Sequence, residues 1–194
     1  GDLLTDDLLS FLETVPEGMF QFEIGIQTTD PSSQEKIKRK QNNKKLFSAI
    51  DRLVRANLIH LHCDLIFGLP GETLDDILKS FEKVCMLRPH ELQLGFLKFL
   101  PGSPIKNLIN NHGYKYQSTP PYEFISNNDL SASQLNYLKK FEDVFDTFYN
   151  SKRFRFTIQL LLKKRTAVEI FNLLLEHMEA NNLFSLSHSL NTQY

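Results

Sequence analysis

The sequence predicts an α/β fold, either half of a parallel β/α barrel or an open parallel sheet, followed by an all-helical segment. Three strand-like stretches, at about residues 20–27, 58–66 and 92–100, alternate with two amphipathic helical stretches. Each connection has the length of a crossover, which indicates parallel neighbouring strands joined with right-handed connections. From Leu130 onward the pattern is helical and rich in Phe and Tyr.

The first predicted strand has one apolar and one polar face. A leucine-rich helix of about three turns precedes it and stops at Pro16 and Gly18. The apolar face of the strand carries Phe20, Phe22, Ile24 and Ile26, and the polar face carries Gln21, Glu23, Gly25 and Gln27. Residues 31–39 predict a short exposed helix, and an amphipathic helix then ends near Asn57.

The second predicted strand, from about Leu58, repeats this alternation. One face carries Ile59, Leu61, Cys63 and Leu65, and the other carries His60, His62, Asp64 and Ile66. The strand ends in a Gly-Leu-Pro-Gly turn at residues 68–71, after which Thr73 and Asp76 have the spacing of a helical capping box. Residues 92–100 predict a third strand that is apolar almost throughout.

Two domains follow from this pattern. Residues 1–116 form the β/α part, and residues 117–194 form an all-helical part that begins with a Pro-containing linker at 117–121. The polar tail after Ser185 is a candidate for disorder. Six aromatic residues of the helical part fit a core, or alternatively a hydrophobic substrate pocket: Phe141, Phe145, Phe148, Tyr149, Phe154 and Phe156.

Bulk composition restricts the class of protein. The chain has 194 residues, 41% of them hydrophobic, and a formal net charge of -1. This balance argues against a nucleic-acid binder or a membrane binder, and the basic run at residues 36–45 is interpreted as a solvated helix face. No stretch approaches the roughly 20 apolar residues of a membrane helix, and no secretory signal pattern is present, so we expect a cytoplasmic protein. A start at Gly1 is compatible with a piece of a longer protein.

Polar side chains meet at the predicted carboxyl edge of the strands, where ligands bind in parallel β/α folds. Glu23, Gln27 and Asp64 approach this edge, and their oxygen acceptors suit ribose hydroxyls or an amino group. They could instead satisfy one another inside a barrel. The glycines at 68–71 would let the backbone approach a flat ligand, and the absence of phosphate-loop spacing argues against nucleoside triphosphate hydrolysis.

A metal site is the weaker interpretation of the histidines. His60, His62 and Asp64 have the HxHxD spacing of metallo-β-lactamase-type hydrolases, but Leu65 stands where that motif has a second histidine. We therefore predict barrel-interior or bottom-face positions for His60 and His62 and no metal site. Cys63 and Cys85 lie in apolar stretches and are too far apart for a CxxC pair, which predicts buried free thiols.

Three motifs together resemble the radical S-adenosylmethionine (SAM) superfamily. They are Phe-Glu-Ile-Gly-Ile-Gln-Thr at 22–28, Asp-Leu-Ile-Phe-Gly-Leu-Pro-Gly-Glu-Thr at 64–73 and Leu-Pro-Gly-Ser-Pro at 100–104. Over about residues 1–112 they are similar to the later strands of that family's TIM-like β/α barrel, of which this chain would hold the carboxyl-terminal half. The sequences of these motifs are most similar to the cobalamin-associated branch, which includes anaerobic magnesium-protoporphyrin monomethyl ester cyclase and oxygen-independent coproporphyrinogen oxidase. The tail resembles a helical domain appended to some members of that branch.

The resemblance implies a chemistry. In such enzymes a [4Fe-4S] cluster on a CxxxCxxC loop cleaves SAM to a 5'-deoxyadenosyl radical, which abstracts a hydrogen atom from the substrate. The implied SAM contacts are Glu23, Gln27, Asp64, Ile66, Phe67 and Gly68. Gln27 and Asp64 would contact the ribose, and the backbone at 66–68 would border the adenine. The chain has no CxxxCxxC, a loop that belongs upstream of Gly1, so the isolated chain is expected to be inactive.

Two functions stay open at this point. The leading hypothesis is a fragment of a radical SAM oxidoreductase or methyltransferase acting on a small-molecule or tetrapyrrole-like substrate, with SAM and [4Fe-4S] in the parent and cobalamin as a candidate further cofactor. The alternative is a non-catalytic interaction or scaffold domain. We expect no nucleic-acid or membrane partner, and we expect the exposed edge of a half barrel to cause self-association.

Overall fold

A computed structural model describes residues 2–185 of the chain, so the predicted disorder of the tail after Ser185 lies outside the described residues. The chain divides into two compact units, of which the first ends at Tyr137 and the second begins at Leu138. This division lies within a helix. The domain boundary that the sequence suggests, between residues 116 and 117, stays a prediction.

The first unit is built on a parallel sheet. Its main elements are α1 (Asp6–Leu12), β1 (Gln21–Gln27), α2 (Pro31–Lys36), α3 (Asn43–Ala56), β2 (His60–Phe67), α4 (Leu74–Cys85) and β3 (Glu91–Phe96). Within residues 2–185, these three strands form one sheet in the order β1-β2-β3, and both neighbouring pairs are parallel. The predicted parallel α/β architecture is therefore confirmed.

Alternating burial separates the two faces of this sheet. The buried face carries Ile24, Ile26, Leu61, Cys63, Leu65, Leu92 and Leu94. β3 differs from the prediction, because it ends at Phe96 instead of Leu100 and alternates as β1 and β2 do, with an exposed Gln93 between two buried leucines. All three strands are thus covered on one face only, which imposes a period of two on the third strand as well.

Helix α4 begins at the capping residues that the sequence predicts. The capping box of α4 is confirmed, since the Asp76 amide donates to Thr73 Oγ1 at 3.3 Å and the Thr73 amide donates to Asp76 Oδ2 at 3.1 Å. The prediction of an exposed helix at 31–39 is wrong in one respect, because α2 buries Ser33 and Gln34. Their side chains bond to neighbouring loops, with Ser33 Oγ donating to the Pro70 carbonyl at 2.7 Å.

A short antiparallel hairpin follows the sheet. After a 3-10 turn at Pro104–Leu108 come α5 (Ile109–His112), β4 (Lys115–Tyr116) and β5 (Phe124–Ser126). The stretch from 117 is therefore not all-helical. It pairs with the extension of β3, where the Phe124 amide donates to the Leu97 carbonyl at 3.1 Å and the Phe99 amide donates to the Tyr122 carbonyl at 2.8 Å.

The helical carboxyl-terminal part is confirmed from Ala132. It comprises α6 (Ala132–Phe145), a π-helical turn at Asp146–Asn150, α7 (Arg155–Leu161) and α8 (Ala167–Ala180). Phe141 and Phe145 form a core with Phe171, at ring distances of 6.2 and 4.8 Å, whereas Phe156 is 85% exposed and does not belong to it. Among the residues described, no helix is both long enough and apolar enough to cross a bilayer.

Candidate functional site

The carboxyl ends of β1 and β2 lie at the same edge of one sheet. Gly25 is opposite Asp64, and Glu23 is opposite His62. The polar face that the sequence predicts is partly exposed along both strands, while the intervening residues are mostly buried. The structure therefore brings Gln27 and Asp64 together at this carboxyl edge of two neighbouring strands, which we call the rim. A SAM-binding role for these two residues stays a prediction.

Gln27, the last residue of β1, has a left-handed backbone conformation. Its φ is 69°, and the strand pairing is irregular between Gly25 and Gln27. The side chain folds over Gly25, so that Nε2 lies 2.5 Å from where a β-carbon of residue 25 would be. Gln27 Oε1 is buried without a hydrogen-bond partner among the described residues. Such an unsatisfied acceptor is costly in a folded protein, which makes it a candidate to receive a ligand hydroxyl or amino group.

Asp64 occupies the centre of the polar face. It lies between Gly25 and Gln93 in the register, and 28% of its side chain is exposed. His62 Nε2 is 3.2 Å from Asp64 Oδ1, and because a carboxylate has two acceptor oxygens, Asp64 keeps acceptor capacity for a ligand. Burial raises the pKa of Asp64; the His62 ring opposes this rise and the Glu23 charge adds to it.

Glu23 lies further from the rim than Gln27 and Asp64. It is exposed and stands in a row with His62 and Glu91, about 7 Å toward the amino ends of the strands. His60 Nε2 lies 3.5 Å from Glu91 Oε2 in the same region. Within the described part of the chain, no three His, Cys, Asp or Glu side chains are grouped to hold a metal ion.

The glycine turn after β2 is packed against the protein itself. Gly68 has a φ of 87°, and a β-carbon there would lie 2.2 Å from the ring of Phe124. The hydroxyl of Tyr114 donates to the Gly68 carbonyl at 2.8 Å. At Gly71 the corresponding space contains Lys36 Nζ. Side chains of this chain fill the space on the β-carbon side of both glycines, and the approach of a flat ligand to the backbone of this turn stays a prediction.

The two residues before this turn face opposite ways. Ile66 lies on the polar face opposite Gly95 and is partly exposed. Phe67 points to the buried face, where its ring meets that of Phe96 edge-on at 5.8 Å. Its carbonyl accepts from the Leu97 amide at 3.0 Å. Ile66 can therefore contribute a side chain to the rim, and Phe67 can contribute only backbone.

A buried polar network beside the rim was not predicted from the sequence. Glu72, in the loop after β2, is 1% exposed and accepts a hydrogen bond from Thr28 Oγ1 in the loop after β1. Burial raises the pKa of Glu72 to about 8; the Thr28 bond opposes the rise and the Asp30 charge adds to it. Glu72 Oε2 is buried without a hydrogen-bond partner in the described structure. The only sequence signal for it was its membership of the 64–73 motif.

The cysteines are confirmed as buried free thiols. Burial raises the pKa of Cys63 to about 12, and it raises the pKa of Cys85 as well. Both side chains are therefore protonated near neutral pH. They are 22 residues apart in the sequence, so they do not form the CxxxCxxC spacing that holds a [4Fe-4S] cluster.

Two family models match the chain. Residues 1–84 match the radical SAM superfamily, and residues 110–194 match a family described as protein of unknown function (DUF4080). The first match covers α1, β1, β2 and most of α4, and it includes the rim formed by Gln27 and Asp64. The second begins in α5 and continues through the helical part.

Known relatives match up to about half of the chain. The heme chaperone HemW of Buchnera aphidicola (subsp. Schizaphis graminum) is 26% identical over 94 residues, which are 48% of this chain and 25% of that protein. The oxygen-independent coproporphyrinogen III oxidase of Bradyrhizobium diazoefficiens is 29% identical over 86 residues, which are 44% of this chain and 19% of that protein. The chain thus spans about a quarter or less of the length of these relatives.

A solved structure of coproporphyrinogen III oxidase (HemN) from Escherichia coli, described as a radical SAM enzyme, also matches. The TM-score is 0.45 at 22% sequence identity, over 58% of this chain and 31% of that chain. The family match over residues 1–84 includes two of the three motifs, at 22–28 and 64–73, and the third, at 100–104, lies outside it. Over residues 1–84 the chain is therefore similar to the radical SAM superfamily, and over residues 110–194 it is similar to the family of unknown function.

Proposed function

We propose that this chain is a segment of a radical SAM enzyme and supplies one wall of its SAM-binding site. The observation that carries the proposal is the common rim of β1 and β2, where Gln27 Oε1 is buried without a partner beside the acceptor Asp64. An amide oxygen and a carboxylate on neighbouring strands suit the hydroxyls of a ribose.

The residues present fit part of SAM and none of the iron-sulfur cluster. Gln27 and Asp64 would hold the ribose, and the backbone at 66–68 would border the adenine. SAM bound beside a [4Fe-4S] cluster supplies a radical that removes a hydrogen atom from the substrate. Since Cys63 and Cys85 do not form the CxxxCxxC spacing, the cluster must be held by other parts of the longer protein, and the chain alone is inactive.

The substrate class follows from the relatives and is part of the proposal. Their names refer to heme and to coproporphyrinogen, which favours a tetrapyrrole-like or other small-molecule substrate and an oxidoreductase. Methyl transfer and cobalamin binding stay predictions from the sequence resemblance. Cobalamin binding is tested by the absorption spectrum of the purified longer protein, because bound cobalamin absorbs visible light.

Removing the rim acceptors is expected to weaken SAM binding. In the longer protein, reconstituted anaerobically with iron and sulfide, Asp64→Asn should raise the dissociation constant of SAM by roughly tenfold or more, because a hydrogen bond to a charged group is worth about 1.5–3 kcal/mol. Gln27→Ala should act in the same direction. Equilibrium dialysis with labelled SAM measures both effects, and 5'-deoxyadenosine formation reports turnover.

Glu91→Gln is the matched control. Glu91 lies on the same face of the sheet but toward the amino ends of the strands, and it does not contact the rim residues. It should leave SAM affinity unchanged. Wild-type affinity in both rim variants would refute the proposed SAM wall, and a wild-type protein that forms no 5'-deoxyadenosine would favour the non-catalytic alternative.

The isolated chain is expected to self-associate. In the described residues, β1 pairs with β2 and has no partner on its other edge, and Leu3, Phe11 and Met19 nearby in sequence are more than half exposed. An open strand edge with exposed apolar side chains promotes pairing between copies. Light scattering at increasing concentration should show a rising mean mass, whereas a constant monomer mass would contradict this expectation.

A further inference from the structure

The second unit contains a concentrated basic surface that the net charge of the chain conceals. The whole chain has a formal charge of -1, yet residues 151–167 include six basic and no acidic residues. The six are Lys152, Arg153, Arg155, Lys163, Lys164 and Arg165, and all are exposed. Arg155 is the first residue of α7 and the other five flank the helix, so positive charge is concentrated at both of its ends.

α7 also has two apolar faces. Ile158 and Leu162 are 3% and 4% exposed and form the face toward the core. Phe156 and Leu160, also four residues apart, are 85% and 57% exposed and point the other way. Packing in a globular unit requires one apolar face on a helix. The outward pair therefore has no role in the core of the described unit.

We propose that α7 and its flanking basic segments form a surface that binds an anionic lipid bilayer. Phe156 and Leu160 enter the boundary between headgroups and acyl chains, while the flanking lysines and arginines contact lipid phosphates. Exposed Phe and Leu side chains combined with clustered Lys and Arg are the composition of helices that lie in a membrane interface. Each basic residue near an anionic bilayer adds to the attraction.

Charge and side-chain chemistry favour a bilayer over other occupants. Single-stranded nucleic acid is held by aromatic rings that stack on bases, and Leu160, which supplies half of the exposed apolar pair, cannot stack. A second copy docked through the same surface would bring twelve basic side chains together, which repel one another. An anionic bilayer complements both the charge and the apolar pair.

Vesicle binding tests this proposal on the whole chain. Vesicles of phosphatidylcholine mixed with phosphatidylglycerol should sediment the protein, and vesicles of phosphatidylcholine alone should not. The natural sequence has no Trp, so Phe156→Trp provides a single reporter whose fluorescence should shift to shorter wavelength on binding. Phe156→Ser combined with Leu160→Ser, and separately Lys163→Glu with Lys164→Glu and Arg165→Glu, should each weaken binding by about tenfold or more.

Two matched controls separate this surface from general charge and hydrophobicity. Lys40→Glu with Lys44→Glu and Lys45→Glu reverses three exposed charges in the first unit, and Leu173→Ser removes a half-exposed leucine from α8. Both should bind vesicles as the wild type does. Equal loss in a control and in the α7 variants would overturn the proposal. So would an unshifted Trp signal, or preferential binding of a single-stranded oligonucleotide that the α7 substitutions abolish.

Discussion

The free energy of unfolding is expected to fall as the pH rises from about 5 to about 8, because Glu72 is buried with a raised pKa. Its carboxyl has a pKa near 4.5 when exposed and about 8 in the folded protein. Between these values the folded state binds more protons than the unfolded state, so raising the pH favours unfolding. The loss of unfolding free energy is complete above about pH 8 and absent below about pH 4.5, and it amounts to roughly 3–5 kcal/mol.

Glu72→Gln isolates this effect. The amide keeps an oxygen to accept from Thr28 Oγ1 and cannot ionise. Urea unfolding of both proteins across the pH range should show the variant gaining stability relative to the wild type as the pH rises. Because other titrating groups, including Asp76 with its lowered pKa, are present in both proteins, the difference between them reports Glu72. A difference that is independent of pH would contradict a buried, protonated Glu72.

Gly68→Ala is expected to destabilise the first unit by about 3 kcal/mol or more, because two penalties add. Its φ of 87° is unfavourable for any residue with a β-carbon, and the new methyl group would lie 2.2 Å from the ring of Phe124. That ring is 1% exposed and has little room to move. Thermal or urea unfolding of the isolated chain measures the loss.

Gly102→Ala is the matched control for backbone strain alone. Gly102 has a similar φ of 79°, but apart from its two chain neighbours no described residue has an atom within 4 Å of its β-carbon position. It should cost about 1–2 kcal/mol. Adding Phe124→Leu to Gly68→Ala should recover part of the larger loss, since the two sites are coupled through contact. Equal costs at Gly68 and Gly102 would show that the ring does not fill the glycine turn.

The sheet could be predicted because its signals are local. Strict alternation in 20–27 and 58–66 fixes which side chains are buried, and the spacing of Thr73 and Asp76 fixes the start of α4. β5 could not be predicted, because Phe124 pairs with the backbone of Leu97 and no alternating pattern precedes it. Strands defined by distant partners have little sequence signature of their own.

The candidate site also has a part that the sequence predicts and a part that it does not. Gln27 and Asp64 could be placed at one edge because parallel strands with crossover connections bring their carboxyl ends together. The burial of Glu72 and the packing of Phe124 on Gly68 depend on how three loops fold over that edge. Composition also concealed the basic surface around α7, since a balanced total charge is compatible with strong local imbalance.

The central claim is that Gln27 and Asp64 form part of a SAM site, and a crystal structure of the longer protein with SAM bound tests it most directly. We expect the ribose hydroxyls within hydrogen-bond distance of the Gln27 amide oxygen and the Asp64 carboxylate. A SAM molecule that contacts neither side chain would contradict the account.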